Sequence, residues 1–295
     1  MLRSLLWFAG PGYEFRLHTY GVMIATGFVV GIYLAARQSK REGVAPEVVL
    51  DLGFWILVAS MVGSRVLFII VNINQYMADP INLLKFWQGG LVFYGGFIGA
   101  LLAVVWYCSR HQLSFFQVAD ILVPSVAIGH TFGRLGCFSA GCCHGIPTGI
   151  AGYGAVYHAA GTVVARNHLL GVPLHPTQLY EAAGELIIFF VLVMIRRRKK
   201  FHGQLLITYL FLYPILRSVN EMFRGDYERG MLFRWNLFGD AKPELLSISQ
   251  LISFILAAVA VGMLVALLRK KDSSPSLPPD QPSKEDSGQA EDPDL

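Results

Sequence analysis

Residues 52–71 read LGFWILVASMVGSRVLFIIV, an apolar run interrupted by one charged side chain, Arg65. A transmembrane helix needs about 20 apolar residues to cross the hydrocarbon core of a bilayer. The whole chain shares this character, since 54% of its 295 residues are hydrophobic and only 15% are charged, with a mean hydropathy of +0.49. This composition predicts an integral membrane protein and excludes collagen-like, coiled-coil, disordered and disulfide-scaffold proteins.

Similar runs along the chain predict an all-α polytopic membrane protein with about seven transmembrane helices. The stretch Met1–Ala9 is too short for the apolar core of a cleavable signal peptide, so the first span is expected to direct insertion. The predicted spans are approximately Leu17–Ala36, Leu52–Val71, Leu91–Cys108, Val118–Phe132, Gln178–Ile195, Gln204–Val219 and Leu245–Leu268.

Lysine and arginine are distributed unevenly between alternate loops. One set of short loops holds twelve of them, and the other set holds nine over longer segments. Because basic residues resist translocation, the N-terminus is expected on the periplasmic side and the C-terminus in the cytoplasm. Residues 1–271 are expected to form the membrane-embedded domain, and residues 272–295 a disordered acidic cytoplasmic tail. The whole chain has a net charge of +4 and the tail one of −6, so residues 1–271 carry +10. This topology and anionic lipid account for that excess, so no nucleic acid partner is expected.

A polar stripe is predicted at the outer end of the sixth span. Arg217, Glu221 and Arg224 follow one another at spacings of four and three, which places them on one helix face with Arg217 and Glu221 close enough to pair. The bland interpretation is an interfacial ion pair that anchors the helix. The functional interpretation is a cationic wall for an anionic headgroup, because guanidinium groups bind phosphate bidentately.

A second segment, residues 129–145, reads GHTFGRLGCFSAGCCHG at the outer end of the fourth span. A spacing of four between glycines is typical of close helix packing. It occurs here at Gly129 and Gly133 and at Gly141 and Gly145, and elsewhere at Gly27 and Gly31 and at Gly95 and Gly99. Arg134 adds a permanent positive charge where exposed backbone amides already favour an anion.

Cys137, Cys142 and Cys143 crowd beside His144 in the same segment. Zinc accepts sulfur and imidazole ligands, but two adjacent cysteines do not easily share one tetrahedral ion, and no Cys-x-x-Cys spacing is present. A disulfide from Cys137 to Cys142 or Cys143 suits an oxidising outer location. Both interpretations remain open, whereas Cys108 is expected to be inert.

A third segment, residues 175–182, reads HPTQLYEA and begins the fifth span. An ordinary helix start explains Pro176 and a capping Thr177. It explains less well why His175, Gln178 and Glu181 gather there, although a carboxylate complements the positive helix end.

The order of these motifs resembles that of the prolipoprotein diacylglyceryl transferase family. The resemblance covers approximately residues 17–268, and its specificity comes from the order of the motifs, since each one alone is weak. The matching segments are His18–Gly21, Gly63–Arg65, Gly89–Gly96, Gly133–Gly136, His175–Glu181, Arg217–Arg224 and Leu246–Gln250.

The resemblance implies a seven-span enzyme of the bacterial cytoplasmic (inner) membrane, with its active site facing the periplasmic side. Such an enzyme transfers the diacylglyceryl group of phosphatidylglycerol to the lipobox cysteine thiol in prolipoprotein signal peptides. A thioether forms and glycerol phosphate leaves, which is the first step of bacterial lipoprotein maturation. Phosphatidylglycerol, prolipoprotein signal peptides and membrane lipids are the expected partners, and no cofactor or metal is expected.

The resemblance also assigns roles to individual residues. Arg134 matches the arginine that binds the lipid phosphate, Tyr20 and Gly145 match positions in the lipid-binding cavity, and Glu221 is expected to hold Arg217 against the phosphate charge. The expected catalytic residues are Tyr20, Tyr94, Arg217 and Glu221. The expected phosphatidylglycerol-binding residues are Arg134, Gly145, His175 and Arg224.

Three positions depart from the family pattern. Tyr94 stands where many members have a histidine, and Cys137 and Cys142 stand where many have asparagine and glutamate. Tyrosine, with a pKa near 10, is a poor base at neutral pH unless a neighbouring cation lowers that pKa. The bases that remain open are His130, His144, His175 and an activated Tyr94.

The departures also leave two other functions open. One is a divergent transferase of the same fold that acts on another lipid or thiol acceptor. The other is a transporter, since charged residues within spans also suit a transport path. Against transport, the hydropathy pattern has no internal repeat and the polar clusters collect on one side.

Overall fold

The computed structural model describes residues 4–10, 13–73, 92–150, 152–225, 231–233 and 246–272. The helices are α1 (Thr19–Ser39), α2 (Pro46–Val71), α3 (Phe93–Arg110), α4 (Phe115–Ala140), α5 (Val163–Arg166), α6 (Thr177–Arg196), α7 (Gln204–Glu221) and α8 (Ile248–Asp272), and a 3-10 turn, Lys40–Glu42, follows α1. The short strands are β1 (Ser4–Gly10), β2 (Tyr13–His18), β3 (Met231–Phe233) and β4 (Leu246–Ser247).

The helical class predicted from the sequence is confirmed. Within the described residues, five helices are long and apolar enough to cross a membrane, namely Thr19–Glu42, Pro46–Val71, Phe93–Arg110, Phe115–Ala140 and Thr177–Arg196. Helix α7 is not among them, because polar residues near its end lower its hydropathy. Helix α8 contributes a shorter apolar segment, Gln250–Val265.

The strands form two short antiparallel pairs that were not predicted from the sequence. Strand β1 pairs with β2 before α1, and β3 pairs with β4 before α8. Several features predicted from the sequence lie outside the described residues, namely the tail at residues 273–295, the segment Gly89–Leu91, Leu245 and the basic residues Arg3, Lys85, Arg229, Arg234 and Lys242.

Helix α4 is longer than the predicted span Val118–Phe132, which was wrong at both ends. The helix continues to Ala140 and ends at Gly141, whose φ is 66° and whose N–H bonds to the carbonyl oxygens of Cys137 and Phe138. A left-handed glycine is a common helix cap because it has no Cβ penalty there. Arg134 therefore projects from a regular helix, and its position is fixed by the packing of α4.

Glycine lets two pairs of helices approach closely, as the spacing of four predicted. A Cβ atom at Gly27 of α1 would lie 2.8 Å from the Cβ of Phe132 on α4, and one at Gly95 of α3 would overlap the carbonyl oxygen of Gly63 on α2. The same prediction was wrong for Gly133, where an added Cβ meets no described heavy atom within 4 Å.

The distribution of polarity is that of a membrane protein. Apolar side chains face outward, with Val29, Leu102 and Ile187 more than 60% exposed, whereas Glu181 and Glu185 are buried. Charged groups within spans avoid hydrocarbon by facing the protein interior. The outward surface is therefore suited to lipid, and the interior carries the polar contacts.

Asp120 connects α4 to the start of α7. Its carboxylate is fully buried and accepts hydrogen bonds from the backbone N–H groups of Gly203 (2.7 Å), Leu205 (3.0 Å) and Leu206 (3.0 Å). The first N–H groups of a helix have no intrahelical partner, so a carboxylate placed there satisfies them. Asp120 therefore has a structural role, and it fixes the end of α7 opposite Arg217.

We predict that Gly95→Ala destabilises the protein while Gly262→Ala does not. The added methyl group at Gly95 overlaps backbone atoms of α2, whereas one at Gly262 of α8 meets nothing within 4 Å. Overpacking of a tight contact costs about 1–3 kcal/mol, so the unfolding temperature of the detergent-solubilised Gly95→Ala variant should fall. Equal unfolding temperatures for the two variants would contradict the packing described for α2 and α3.

Candidate active site

The carboxylate of Glu181 lies in a buried polar cluster between α4, α6 and α7. The residue is on the second turn of α6 and is 1% exposed. Its Oε1 atom lies 2.8 Å from Nη2 of Arg134 on α4. Its Oε2 atom accepts a 2.8 Å hydrogen bond from Nδ2 of Asn220 and lies 3.9 Å from Nη1 of Arg217 on α7. One carboxylate therefore joins guanidinium groups from two other helices.

The pair between Arg217 and Glu221 that the spacing predicted is confirmed. Nη1 of Arg217 lies 2.8 Å from Oε2 of Glu221, and both residues are buried. A buried charge is tolerated only when it is paired. Arg217 therefore has two acidic neighbours, one on its own helix and Glu181 on α6.

A second contact network fixes the orientation of Arg134. Nε of Arg134 donates a 3.2 Å hydrogen bond to Nε2 of His130, and Nδ1 of His130 lies 2.7 Å from Oε1 of Glu185. Because a guanidinium group only donates, Nε2 of His130 accepts, and its proton resides on Nδ1 facing Glu185. His130 is thus a link between Glu185 and Arg134, and both of its ring nitrogens are engaged.

The Arg134 guanidinium retains donor capacity toward a ligand. Its Nε and Nη2 atoms contact His130 and Glu181, and among the described residues no hydrogen bond or ion pair is formed by Nη1. Its side chain is 15% exposed, so the group is reachable. A guanidinium carries five N–H donors in a planar fork, which suits phosphate oxygens.

The loop after α4 is paired with the loop after α7. Gly145 forms an isolated bridge with Arg224, and a Cβ atom at Gly145 would lie 2.5 Å from the carbonyl oxygen of His175 and 2.7 Å from that of Phe223. Only glycine fits there, and it holds the Arg224 backbone beside the end of α4. The prediction that Gly141 and Gly145 serve helix packing is wrong, because both glycines come after the end of α4.

The remaining two candidate histidines hold this loop in place. His144 is fully buried, and its Nδ1 donates 2.9 Å to the carbonyl oxygen of Gly145, so its Nε2 accepts from Nδ2 of Asn167 at 3.0 Å. Nδ1 of His175 lies 3.1 Å from the hydroxyl of Tyr180. These contacts position the loop, and in His144 they engage both ring nitrogens.

The sulfur atoms of Cys137, Cys142 and Cys143 converge within 4.8 Å of one another, and the three thiols are free. Hydrogen bonds from the thiols of Cys137 and Cys142, together with the guanidinium groups of Arg224 and Arg134, lower the pKa of the Cys143 thiol. Hydrogen bonding to Cys137 and Cys143 raises the pKa of the Cys142 thiol, and burial acts in the same direction. Cys143 is therefore more readily ionised than Cys142.

The two candidate tyrosines lie at the starts of α1 and α3. Tyr20 packs against α4, since a Cβ atom at Gly136 would lie 3.0 Å from its Cδ2 atom. Tyr94 is 49% exposed, and its ring contacts Phe93 edge-on at a centroid distance of 5.9 Å. Within the described part of the chain, no hydrogen bond, ion pair or ring contact connects Tyr94 to the cluster around Glu181.

The structure thus brings together Arg134, Arg217 and Glu221 through Glu181, and places Arg224, Gly145 and His175 in the adjoining loop pair. Several partners were missed in the assignment of site residues, namely Glu181, Glu185 and Asn220. The spacing of four between Glu181 and Glu185 could have identified both as site residues, because it puts two carboxylates on one face of α6. The identity of their partners depends on how the helices pack.

Comparison with known proteins matches the chain to one family and to several similar proteins. The family model described as prolipoprotein diacylglyceryl transferase matches residues 11–266. The chain is similar to proteins named phosphatidylglycerol–prolipoprotein diacylglyceryl transferase. One from Clostridium tetani is 31% identical over 250 residues, 85% of this chain and 92% of the relative. One from Finegoldia magna is 32% identical over 253 residues, which cover 85% of this chain and 91% of the relative. One from Geobacter sulfurreducens is 32% identical over 263 residues, which cover 88% of this chain and 93% of the relative.

We predict that Glu181→Gln strongly destabilises the protein, because it removes a shared counter-charge from two guanidinium groups while preserving shape. Breaking a buried ion pair costs about 3–5 kcal/mol. The measurement is the unfolding temperature in detergent, compared with Glu47→Gln, which neutralises an exposed carboxylate at the start of α2. If both variants unfold at the temperature of the unmodified protein, Glu181 does not hold the three helices together.

Proposed function

Because the chain belongs to the prolipoprotein diacylglyceryl transferase family, we propose that it transfers the diacylglyceryl group of phosphatidylglycerol to the lipobox cysteine thiol of prolipoproteins. The substrate sulfur forms a bond to the glyceryl carbon while the bond from that carbon to a phosphate oxygen breaks. The electron pair leaves with glycerol phosphate, the thiol proton is released, and the peptide gains a thioether. This reaction is the first step of bacterial lipoprotein maturation.

The observation that carries the proposal is the pair of arginines held by Glu181. The phosphate of phosphatidylglycerol is an anion, and a further negative charge develops on it as the glyceryl carbon separates. Cations fixed before the reaction stabilise such a charge without a cost of reorganisation. Arg134 offers Nη1 toward a ligand, and Arg217 lies 3.9 Å from the same carboxylate. We assign both to the lipid phosphate.

The other expected residues support this centre in the proposal. Glu221 orients Arg217 through their 2.8 Å contact, and Gly145 holds the backbone of Arg224 beside the sulfur cluster. His175 fixes the loop that carries Gly145, since its backbone oxygen accepts from the Gly145 N–H at 3.1 Å. Tyr20 and Tyr94 are assigned to the substrate path, because they begin helices at the same end of the bundle as Arg134.

We also propose seven spans in the bacterial inner membrane, with the N-terminus and the active site on the periplasmic side and the C-terminus in the cytoplasm. Helices α7 and α8 would be the sixth and seventh spans, in addition to the five longer helices. The connection that contains Arg197, Arg198 and Lys200 would be cytoplasmic, since basic residues resist translocation. Signal peptides of prolipoproteins and outer-leaflet lipid would then reach the cluster around Glu181 from the same side.

We predict that Arg134→Ala lowers the transfer rate by a factor on the order of 100 or more, as for loss of a fixed donor to a developing negative charge. The assay supplies purified protein with phosphatidylglycerol and a lipobox peptide, and it follows peptide mass and released glycerol phosphate. Arg166→Ala, which removes an exposed arginine at the end of α5, should keep the normal rate. A peptide with serine in place of cysteine should gain no mass.

Two results would overturn parts of this proposal. Full activity of Arg134→Ala would remove the phosphate assignment and leave the transferase reaction in place. No transfer by the unmodified chain, in an assay where a relative is active, would favour a transferase for another lipid or thiol acceptor.

The proposed topology is tested with epitope tags inserted after Gly149 and after Lys200. The tag after Gly149 should bind antibody on intact spheroplasts, because that loop joins the periplasmic ends of α4 and α6. The tag after Lys200 should bind only after permeabilisation. The reverse pattern would contradict the orientation inferred from the basic residues.

A further inference from the structure

Three thiols beside the site form a cluster that the proposed phosphate chemistry does not use. The Sγ atoms of Cys137, Cys142 and Cys143 all lie within 4.8 Å of one another, and each residue is partly buried. No other His, Cys, Asp or Glu side chain in the described part of the chain completes this group. The cluster is therefore a set of three soft ligands.

The backbone conformation brings the three thiols together, including the two on adjacent residues. Cys143 has a φ of 55°, an uncommon left-handed conformation for a residue with a side chain. Its carbonyl oxygen accepts 2.8 Å from Oγ1 of Thr177, and the carbonyl oxygen of Cys142 accepts 2.6 Å from Nε2 of Gln178. A strained conformation persists when its surroundings determine it, so the first turn of α6 holds the cluster in place.

The geometry is close to that of a metal–thiolate site. In a tetrahedral zinc site with Zn–S bonds of about 2.3 Å, ligand sulfurs are about 3.8 Å apart, so these thiols need to approach by at most about an ångström. Thiolates favour thiophilic ions such as Zn²⁺. Sites with three protein ligands keep the fourth position open and are typically catalytic, whereas structural zinc sites are closed by four.

We propose that Cys137, Cys142 and Cys143 bind one thiophilic divalent cation, with Zn²⁺ as the candidate, and that the open coordination position receives the lipobox thiol. The second half of this inference rests on the proposed function. It departs from the expectation that no metal is needed.

The reaction proposed at the metal is an alkylation of the substrate thiol. The substrate thiol loses its proton to solvent as its sulfur binds the cation, and the bound thiolate attacks the glyceryl carbon. The carbon–oxygen bond to phosphate breaks, its electron pair leaves with glycerol phosphate, and the thioether dissociates. No oxidant or reductant takes part.

The position of the cluster suits this role. Cys137 is three residues after Arg134 in α4, so the two side chains lie on one helix face. A thiol bound to the cluster would therefore meet a lipid whose phosphate is held by Arg134. The cluster also supplies an activated thiolate that two of the candidate histidines do not, because His130 and His144 have both ring nitrogens engaged.

The test measures metal binding separately from activity. The detergent-purified full chain is reduced, stripped with a chelator and titrated with Co²⁺ and Zn²⁺ without oxygen. One ion per chain, thiolate-to-cobalt charge-transfer absorption and protection of three thiols from alkylation are expected. Cys137→Ala, Cys142→Ala and Cys143→Ala should each lose the absorption, whereas Cys108→Ala, which removes the remaining cysteine on α3, should keep it.

The transfer assay then compares stripped and zinc-loaded protein with the same phosphatidylglycerol and lipobox peptide. Loss of transfer on stripping and its recovery with Zn²⁺ would support the proposal. A disulfide within the cluster of the isolated protein, or three reactive thiols at saturating Zn²⁺, would overturn the metal site. Equal transfer with and without bound metal would overturn its catalytic role. If neither form transfers while a relative does, the proposed function fails, and the binding data still decide on the metal site.

Discussion

The carboxylate of Glu181 is buried and contacts groups on α4 and α7, so the relative positions of three helices depend on one negative charge. Arg134 and Asn220 both approach it at 2.8 Å. A guanidinium group in this interior without a counter-charge would lose hydration and gain nothing in return. The two arginines thus lie near one another although like charges repel. The same arrangement that stabilises the helices concentrates positive charge where a phosphate can bind.

The helix that carries Arg217 is fixed at both ends by acidic residues of its neighbours. Asp120 on α4 accepts the first N–H groups of α7, and Glu181 on α6 contacts its last turn. Helix α4 in turn contributes Asp120 near its start and Arg134 near its end. Close glycine contacts with α1 leave α4 little freedom to shift. A rigid frame of this kind is what preorganised charge stabilisation requires.

Hydropathy alone predicted the helical class and most helix positions, because apolar length is a local property of the chain. It placed the end of α4 too early, since Arg134 and the glycines look like a loop when their partners are unknown. The pairing of Arg217 with Glu221 was predicted because both lie on one helix. The contacts of Glu181 and the link through His130 were not, because they form only when separate helices pack. The convergence of Cys142 and Cys143 depends on a left-handed backbone at Cys143, which the sequence argument about adjacent cysteines did not include.

The most direct measurement is a structure of the protein with bound phosphatidylglycerol. The expected result places a phosphate oxygen within hydrogen-bonding distance of the Arg134 guanidinium, with Glu181 still joining α4, α6 and α7 and Arg217 on the same side of the phosphate. The glyceryl carbon would then face the sulfur cluster. A phosphate bound away from both arginines, with the polar contacts of Glu181 unchanged, would contradict the claim that this buried charge network is built to hold the lipid headgroup.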